Sequence, residues 1–309
     1  MTVPPAALLD VVATEAERPL PFAVTAFVDA ARHRFGACVA AIVFYGSCRR
    51  ADQADGLYDL YVIVDNYRSL PWMEAVLAAA LPPNVYYLET VTELGTRRAK
   101  CTLISRADFA RGVQRWFHSY LWGRFCQPVS LAFSRDPHVR EEILNGLGHA
   151  ILKFIGEAVS LQAAEFDTRT LWIEGLRTSY STELRSEGPD RAVDLFASHA
   201  AYYNAVTAAA AANTPMAATA LGRWRSTLTP SRRRLGILTW RIRGITGKTQ
   251  ALARILKAWI TFDGGFDYII WKLERHSGRH IDVPEHVRRH PALHMWSFFW
   301  RLYRAGVFR

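Results

Sequence analysis

The chain has little cysteine, little lysine and almost no long uncharged apolar sequence. Four cysteines occur in 309 residues, Cys38, Cys48, Cys101 and Cys126, and none forms a CxxC pair. That excludes a zinc ribbon or a dense disulfide framework and points to reduced thiols. Only 5 of the 38 basic residues are lysine. The stretch from Tyr202 to Leu221 carries no charge, but it is mostly alanine and includes Asn204, Thr207, Asn213, Thr214 and Pro215. It has too few large apolar side chains to favour a bilayer. The first residues lack a basic cluster and carry Asp10, Glu15 and Glu17, the reverse of a secretory signal and too acidic for a mitochondrial presequence. Neither a signal peptide nor a transmembrane span is expected.

Acids are also missing from one end. Residues 1–220 are slightly acidic, with 20 Lys/Arg against 23 Asp/Glu, whereas residues 221–309 hold 18 against 5. All the surplus positive charge therefore sits in the last part of the chain, which points to an anionic partner there, either nucleic acid or an anionic membrane surface. A composition of 50% hydrophobic, 21% charged and 12% aromatic residues is that of a globular protein with one large core or two ordinary ones.

Apolar spacing predicts helix over residues 1–35. Strands are expected at Cys38–Tyr45 and Tyr58–Asp65, a helix from Pro71 through Ala80, strands at Asn84–Glu89 and Cys101–Ser105, and helix between Ala107 and Phe125. Helical spacing dominates from Asp136 onward, with Asp167–Arg185 ambiguous and Thr227–Arg234, rich in Pro, Ser and Arg, expected as a loop or linker. The fold class is thus α+β.

The most informative segment is Ile42–Asp65, IVFYGSCRRADQADGLYDLYVIVD. A strand runs into Gly46-Ser47, eleven residues intervene, and Asp59 follows inside a second strand. A Gly-Ser turn lets backbone N–H groups and a hydroxyl approach a triphosphate. An acid on the adjacent strand can hold Mg²⁺ against the same phosphates. A second acid would share that face two residues on, but Tyr61 stands there. Asp65 keeps the parity, yet lies ~20 Å along the strand. Asp52, Asp55 or an acid from another segment remains as the second ligand.

With these residues the chain resembles the mitochondrial-type phosphatidate cytidylyltransferases, peripheral CDP-diacylglycerol synthases with bacterial relatives. Tyr45-Gly46-Ser47 with the lone Asp59 is the first shared block. Pro83-Asn84-Val85-Tyr86-Tyr87 and Lys100 with the following Cys-Thr-Leu-Ile-Ser come next. Trp116–Val129, WFHSYLWGRFCQPV, and Leu171–Arg185, LWIEGLRTSYSTELR, complete the series. Together they cover residues 40–190. Cys48 replaces the family's glycine after Gly-Ser, Gln127 a lysine and Glu183 an aspartate.

The resemblance implies a nucleotidyltransferase-fold domain over 1–135, a mainly helical domain over 136–245 (a winged-helix-like arrangement is one form of it), and a basic region over 246–309. It implies transfer of CMP from CTP to phosphatidate with Mg²⁺ or Mn²⁺. Tyr45, Gly46, Ser47 and Ser181 would bind the nucleotide. Asp59 and Glu183 would hold the metal, and Lys100 would stabilise the transition state. Arg124 and Arg185 would hold the acceptor phosphate. No nucleic acid is expected. The alternatives are another phosphate or hydroxyl acceptor, or a non-catalytic module of the same fold that binds membrane or nucleic acid.

Read as a helix, Pro291–Arg309 puts His294, Ser297, Arg301 and Arg304 in one polar stripe, with Leu293, Trp296, Phe299, Trp300, Tyr303 and Val307 opposite. Trp296, Phe299, Trp300, Arg301 and Arg304 are the expected contacts with an anionic membrane surface. The expected location is the cytoplasmic face of a bacterial inner membrane, as a peripheral protein.

Overall fold

The computed structural model describes residues 3–49, 56–92, 95–183 and 190–261, and beyond them 274, 280–289, 294, 297, 298, 300, 301 and 304. Helices α1 (Ala6–Ala16) and α2 (Phe22–Phe35) precede strand β1 (Val39–Tyr45). There follow β2 (Leu57–Val64), α3 (Trp72–Ala80), β3 (Asn84–Thr92), β4 (Gly95–Ser105), α4 (Arg106–Gln114), the single turn α5 (Trp122–Phe125) and β5 (Ser130–Ser134). The five strands form one mixed sheet in the order β3-β4-β2-β1-β5. Strands β2 and β4 run parallel, and the other neighbours antiparallel. The unbroken apolar runs of β1 and β2 are explained by burial on both faces of the sheet.

Strand alternation divides those runs. Ile42, Phe44, Tyr58, Leu60 and Val62 pack with Val24, Phe27 and Ala31 of α2 on one face. Ala41, Val43, Tyr61 and Ile63 point to the other, where Leu8 of α1, Phe109 of α4 and Ile143 and Ile151 of α6 (Pro137–Ala158) cover them. Beyond α6 come β6 (Glu165–Phe166), α7 (Thr168–Ser181), α8 (Arg191–Ser198), α9 (Ala200–Ala210), β7 (Met216–Ala218), β8 (Trp224–Ser226), α10 (Pro230–Thr261) and α11 (Glu285–Arg289). The short strands make a second sheet, β6-β8-β7. The core of the second face continues into these helices through stacked rings: Phe154 lies 4.7 Å from Trp172, which lies 4.5 Å from Tyr203. One continuous core therefore crosses the boundary expected at 135/136, and α10 runs through the one expected at 245/246.

Most expected elements form near their predicted positions, and the departures have local causes. The helix expected over 107–125 breaks between α4 and α5. The ambiguous 167–185 stretch contains α7, started by the Asp167 side chain, which accepts from the Thr170 N–H at 2.6 Å. The linker expected at Thr227–Arg234 is wrong from residue 230 onward. Pro230 takes the first helical position, where its missing N–H is no loss, and the arginines after it are good helix formers. The charge-free stretch 202–221 is divided between α9, a 3₁₀ turn at Ala211–Asn213 and β7. Among the described residues no helix is long and apolar enough to cross a membrane.

At the far end, the described positions 294, 297, 298, 300, 301 and 304 are helical. Ser297, Arg301 and Arg304 are exposed and Trp300 is 63% exposed, while Phe298, outside the expected apolar stripe, is buried. Trp296 and Phe299 lie outside the described residues.

Candidate functional site

Residues 46–49, the first of the β1–β2 connection, are held from both sides. Gly46 sits at φ +92°, a backbone conformation that favours glycine. A Cβ placed on it would lie 2.5 Å from Asp59 Oδ2, so the Asp59 carboxylate rests directly against the glycine Cα. Ser47 follows, exposed, at the start of a 3₁₀ turn. Buried Cys48 donates its thiol to the Leu57 carbonyl at 3.2 Å, joining the turn to β2. Arg49 donates to Glu15 Oε1 at 2.6 Å and to Ser130 Oγ at 2.9 Å, tying the turn to α1 and β5. Both Arg49 and Glu15 side chains are only 6% exposed, so this is a buried, multiply bonded anchor.

Sheet register then assembles a row. Tyr45 pairs with Asp59, Asp59 with Lys100, and Lys100 with Tyr87, across β1, β2, β4 and β3. Residues opposite one another in neighbouring strands share a face, so Asp59 and Lys100 project together on the side of α4, α5 and α6. Among the described residues no hydrogen bond or ion pair engages the Lys100 ammonium. Tyr61, where a second acid would stand, is instead wholly buried. Its ring packs 5.3 Å from Tyr45 and 4.8 Å from Phe125, forming an aromatic floor. Burial, and after it the Asp59 charge, pushes the Tyr45 phenol above its ordinary range, so it stays neutral.

The segments 116–129 and 171–183 meet beside this row. Gly123 packs so closely on Ser179 that a Cβ would come within 2.5 Å of its hydroxyl. Ser119 and Thr182 hydroxyls lie 3.1 Å apart, and Tyr180 donates to Gln127 Oε1 at 3.0 Å. Arg124 donates to the Tyr120 carbonyl at 2.7 Å and to Glu183 Oε2 at 2.8 Å. Those two charged side chains are 15% and 12% exposed. Burial alone would lower the Arg124 pKa, but Glu183 and the surrounding phenols outweigh it and hold the guanidinium firmly charged.

The expected site residues thus fall into two groups. Tyr45, Gly46, Asp59 and Lys100 line one row, with Ser47 at its rim, and Arg124 and Glu183 stand next to it. The Ser181 hydroxyl, by contrast, donates to the Thr178 carbonyl of its own helix at 2.7 Å. Arg185, Asp52 and Asp55 lie outside the described residues. Asp65 is engaged elsewhere, accepting from Arg135 at 2.6 Å and Arg106 at 3.2 Å. Tyr120 and Arg254 were not expected. The Tyr120 ring has the Arg124 guanidinium 3.9 Å from its centroid, and the Arg254 guanidinium, carried by α10, at the same 3.9 Å. Burial pushes the Tyr120 phenol up, yet the positive charges of Arg124, Lys100 and Arg254 together bring it below its usual value.

Among the described residues no three His, Cys, Asp or Glu side chains converge as a metal cage. Mg²⁺ does not require one, since it is commonly held by one or two carboxylates, water and substrate phosphates. Asp59 could supply such a carboxylate, while the Glu183 carboxylate accepts from Arg124 through Oε2. No protein-family model matches the chain, and no curated protein matches it.

Proposed function

We propose that the chain is a nucleotidyltransferase that transfers CMP from CTP to phosphatidate, giving CDP-diacylglycerol and pyrophosphate. The observation that carries this reading is the contact between the Gly46 turn and Asp59, with Lys100 beside Asp59 in register. Backbone N–H groups, a hydroxyl, one acid and one lysine in that order suit a metal-bound triphosphate. The mixed sheet, with an antiparallel β1–turn–β2 unit and β4 parallel to β2, supports a nucleotidyltransferase-type first half.

In this mechanism Gly46 and Ser47 hold the CTP phosphates, and the Tyr45–Tyr61 floor keeps the Asp59 side of the site dry. Asp59 would hold Mg²⁺ (or Mn²⁺), which when bound would supply positive charge against the pyrophosphate leaving group. An oxygen of the acceptor phosphate attacks the α-phosphorus in line; the new P–O bond forms as the bond to the β-phosphate breaks. The nucleophile is already an anion, so no strong base is needed, and positioning with charge neutralisation carries the rate. Lys100 stabilises the charge that develops. Arg124, oriented by Glu183, holds the acceptor phosphate.

A lipid acceptor is supported by the outer face of α10. Leu235, Leu238, Ile242, Ile245 and Leu252 recur at steps of three, four and seven and are 43 to 73% exposed. Arg234, Arg241 and Lys248 run alongside at steps of seven, also exposed. Residues 230–261 contain no Asp or Glu at all. An exposed apolar stripe with cations and no acid beside it suits the surface of an anionic membrane, and supports a peripheral position, on the cytoplasmic face of a bacterial inner membrane in this reading.

The test is incubation with CTP labelled at the α-phosphorus, Mg²⁺ and separate acceptors: phosphatidate vesicles, a sugar phosphate and a protein hydroxyl. Label entering the lipid phase with release of pyrophosphate is the expected result. Transfer only to another acceptor would change the substrate, and no transfer to any of them would remove the enzymatic reading.

A further inference from the structure

Helix α10 is held against the site at two points that bracket Arg254. On one side, Gly247 packs on the end of α7 so tightly that a Cβ would lie 2.4 Å from the Thr182 carbonyl oxygen. On the other, buried Lys257 donates to the carbonyls of Leu81 and Pro83 at 2.5 and 2.6 Å and to Asn84 Oδ1 at 2.8 Å. The backbone that carries Arg254 is therefore fixed by close packing and by the three hydrogen bonds of Lys257 Nζ. Two guanidinium groups cannot stack at 3.9 Å on the same face of one ring, so Arg124 and Arg254 occupy opposite faces of Tyr120.

The donors of Arg254 are largely unused. Its Nε is buried with no hydrogen-bond partner, and Nη2 has only a long 3.5 Å contact to Gln250. Two guanidinium groups lie against the Tyr120 ring, and the Lys100 charge acts on the same phenol. The acids acting there are Glu183, which accepts from Arg124, and Asp59 at the metal position. Like charges gathered in a part-buried space repel one another unless an anion joins them. A guanidinium with unused donors in such a place has the fork geometry that receives two phosphate oxygens.

We propose that Arg254 completes an anion subsite with Arg124 and Lys100 around Tyr120, and that its ligand is a phosphate ester carrying at least two negative charges. This deepens the nucleotidyltransferase reading and rests on it for the choice between the two phosphates available, the nucleotide's and the acceptor's. Arg254 is a binding residue in this scheme, and Tyr120 is the spacer that keeps the two guanidinium groups apart while both face the ligand.

Calorimetric titration of the full chain with CTP plus Mg²⁺, with glycerol 3-phosphate and with inorganic tripolyphosphate tests the subsite, in wild type, Arg254→Lys and Arg254→Gln. The expected result is a loss of about tenfold or more in affinity for at least one probe in Arg254→Gln, with Arg254→Lys intermediate. Loss confined to CTP assigns the subsite to the nucleotide; loss confined to glycerol 3-phosphate assigns it to the acceptor. Unchanged affinity for all three probes in a folded Arg254→Gln protein reduces Arg254 to a structural stack on Tyr120 and overturns the proposal. If CTP plus Mg²⁺ binds well there, the nucleotidyltransferase reading survives that failure. If tripolyphosphate alone binds, and does so through Arg254, the subsite stands and the nucleotide reading fails.

A second measurement needs no Arg254 variant. The tyrosinate absorbance titration of wild type, corrected with Tyr120→Phe, reports the Tyr120 midpoint, which must rise when a saturating anion neutralises its cationic neighbours. A midpoint unmoved by saturating tripolyphosphate also overturns the proposal.

Discussion

Replacing Gly46 with alanine separates the geometry of the turn from its chemistry. Gly46 and Gly95 share a positive φ, +92° and +97°. Gly95 has nothing within 4 Å of where a Cβ would sit, whereas at Gly46 the new methyl would lie 2.5 Å from Asp59 Oδ2 and 3.2 Å from its Cβ and Cγ. Gly95→Ala therefore carries only the cost of the left-handed backbone, about 1–2 kcal/mol. Gly46→Ala carries the same cost and must also drive the Asp59 carboxylate away by about 1 Å to restore ordinary contact. Displacing a catalytic group by that distance lowers turnover by about 10²-fold. Urea denaturation should thus rank the two variants within about 1 kcal/mol of each other. CMP transfer from CTP should fall about 10²-fold only in Gly46→Ala and stay within about twofold of wild type in Gly95→Ala. Full activity in Gly46→Ala, or equal losses in both, would refute the claim that the contact with Asp59 is what the glycine provides.

Asp59→Ala should abolish transfer while leaving the circular dichroism spectrum and melting temperature close to wild type, because a half-buried carboxylate proposed to hold the metal contributes little packing. Glu157 accepts from Arg243 at 2.8 Å, and the Arg243 side chain is only 2% exposed. Burial alone would raise the Glu157 pKa, but Arg243 and Lys153 outweigh it and hold the carboxyl below its ordinary value. Its stabilising contribution is therefore present above the ordinary carboxylate pKa and lost as pH falls through the lowered one. Glu157→Gln should cost about 3 kcal/mol near pH 7 by leaving Arg243 buried without its counter-charge, and the gap to wild type in urea melts should narrow as pH falls below the ordinary carboxylate range and close once it passes the lowered Glu157 pKa. On the outer face of α10, Leu238→Glu combined with Ile245→Glu should abolish sedimentation with anionic vesicles while leaving CTP binding intact. Undiminished sedimentation would put the membrane contact elsewhere.

The parts of the site that lie on one segment were legible in the sequence. Gly46-Ser47 at the end of an apolar run, with Asp59 in the next one, is a local pattern, and strand alternation put Asp59 and Tyr61 on one face. The pairing of Asp59 with Lys100 was not legible, because β3 is inserted between the two strands that meet in parallel. Nor could spacing reveal that Glu183 accepts from Arg124. Arg254 escaped for a related reason. On α10 the inward positions Trp240, Arg243, Gly247, Arg254 and Lys257 follow helical spacing, and charged residues recurring on a stripe that also holds Trp and Gly were the available signal. That signal was masked by reading the Pro230 region as a linker, although Pro230 begins the helix.

If the Gly46 turn and Asp59 form a metal-dependent nucleotide site, a calorimetric titration of the full chain with CTP will show it. With Mg²⁺ present, saturable binding at one site is expected, lost when the metal is chelated and lost again in Asp59→Ala. Binding that is indifferent to Mg²⁺ and to Asp59, or no binding at all, would contradict it.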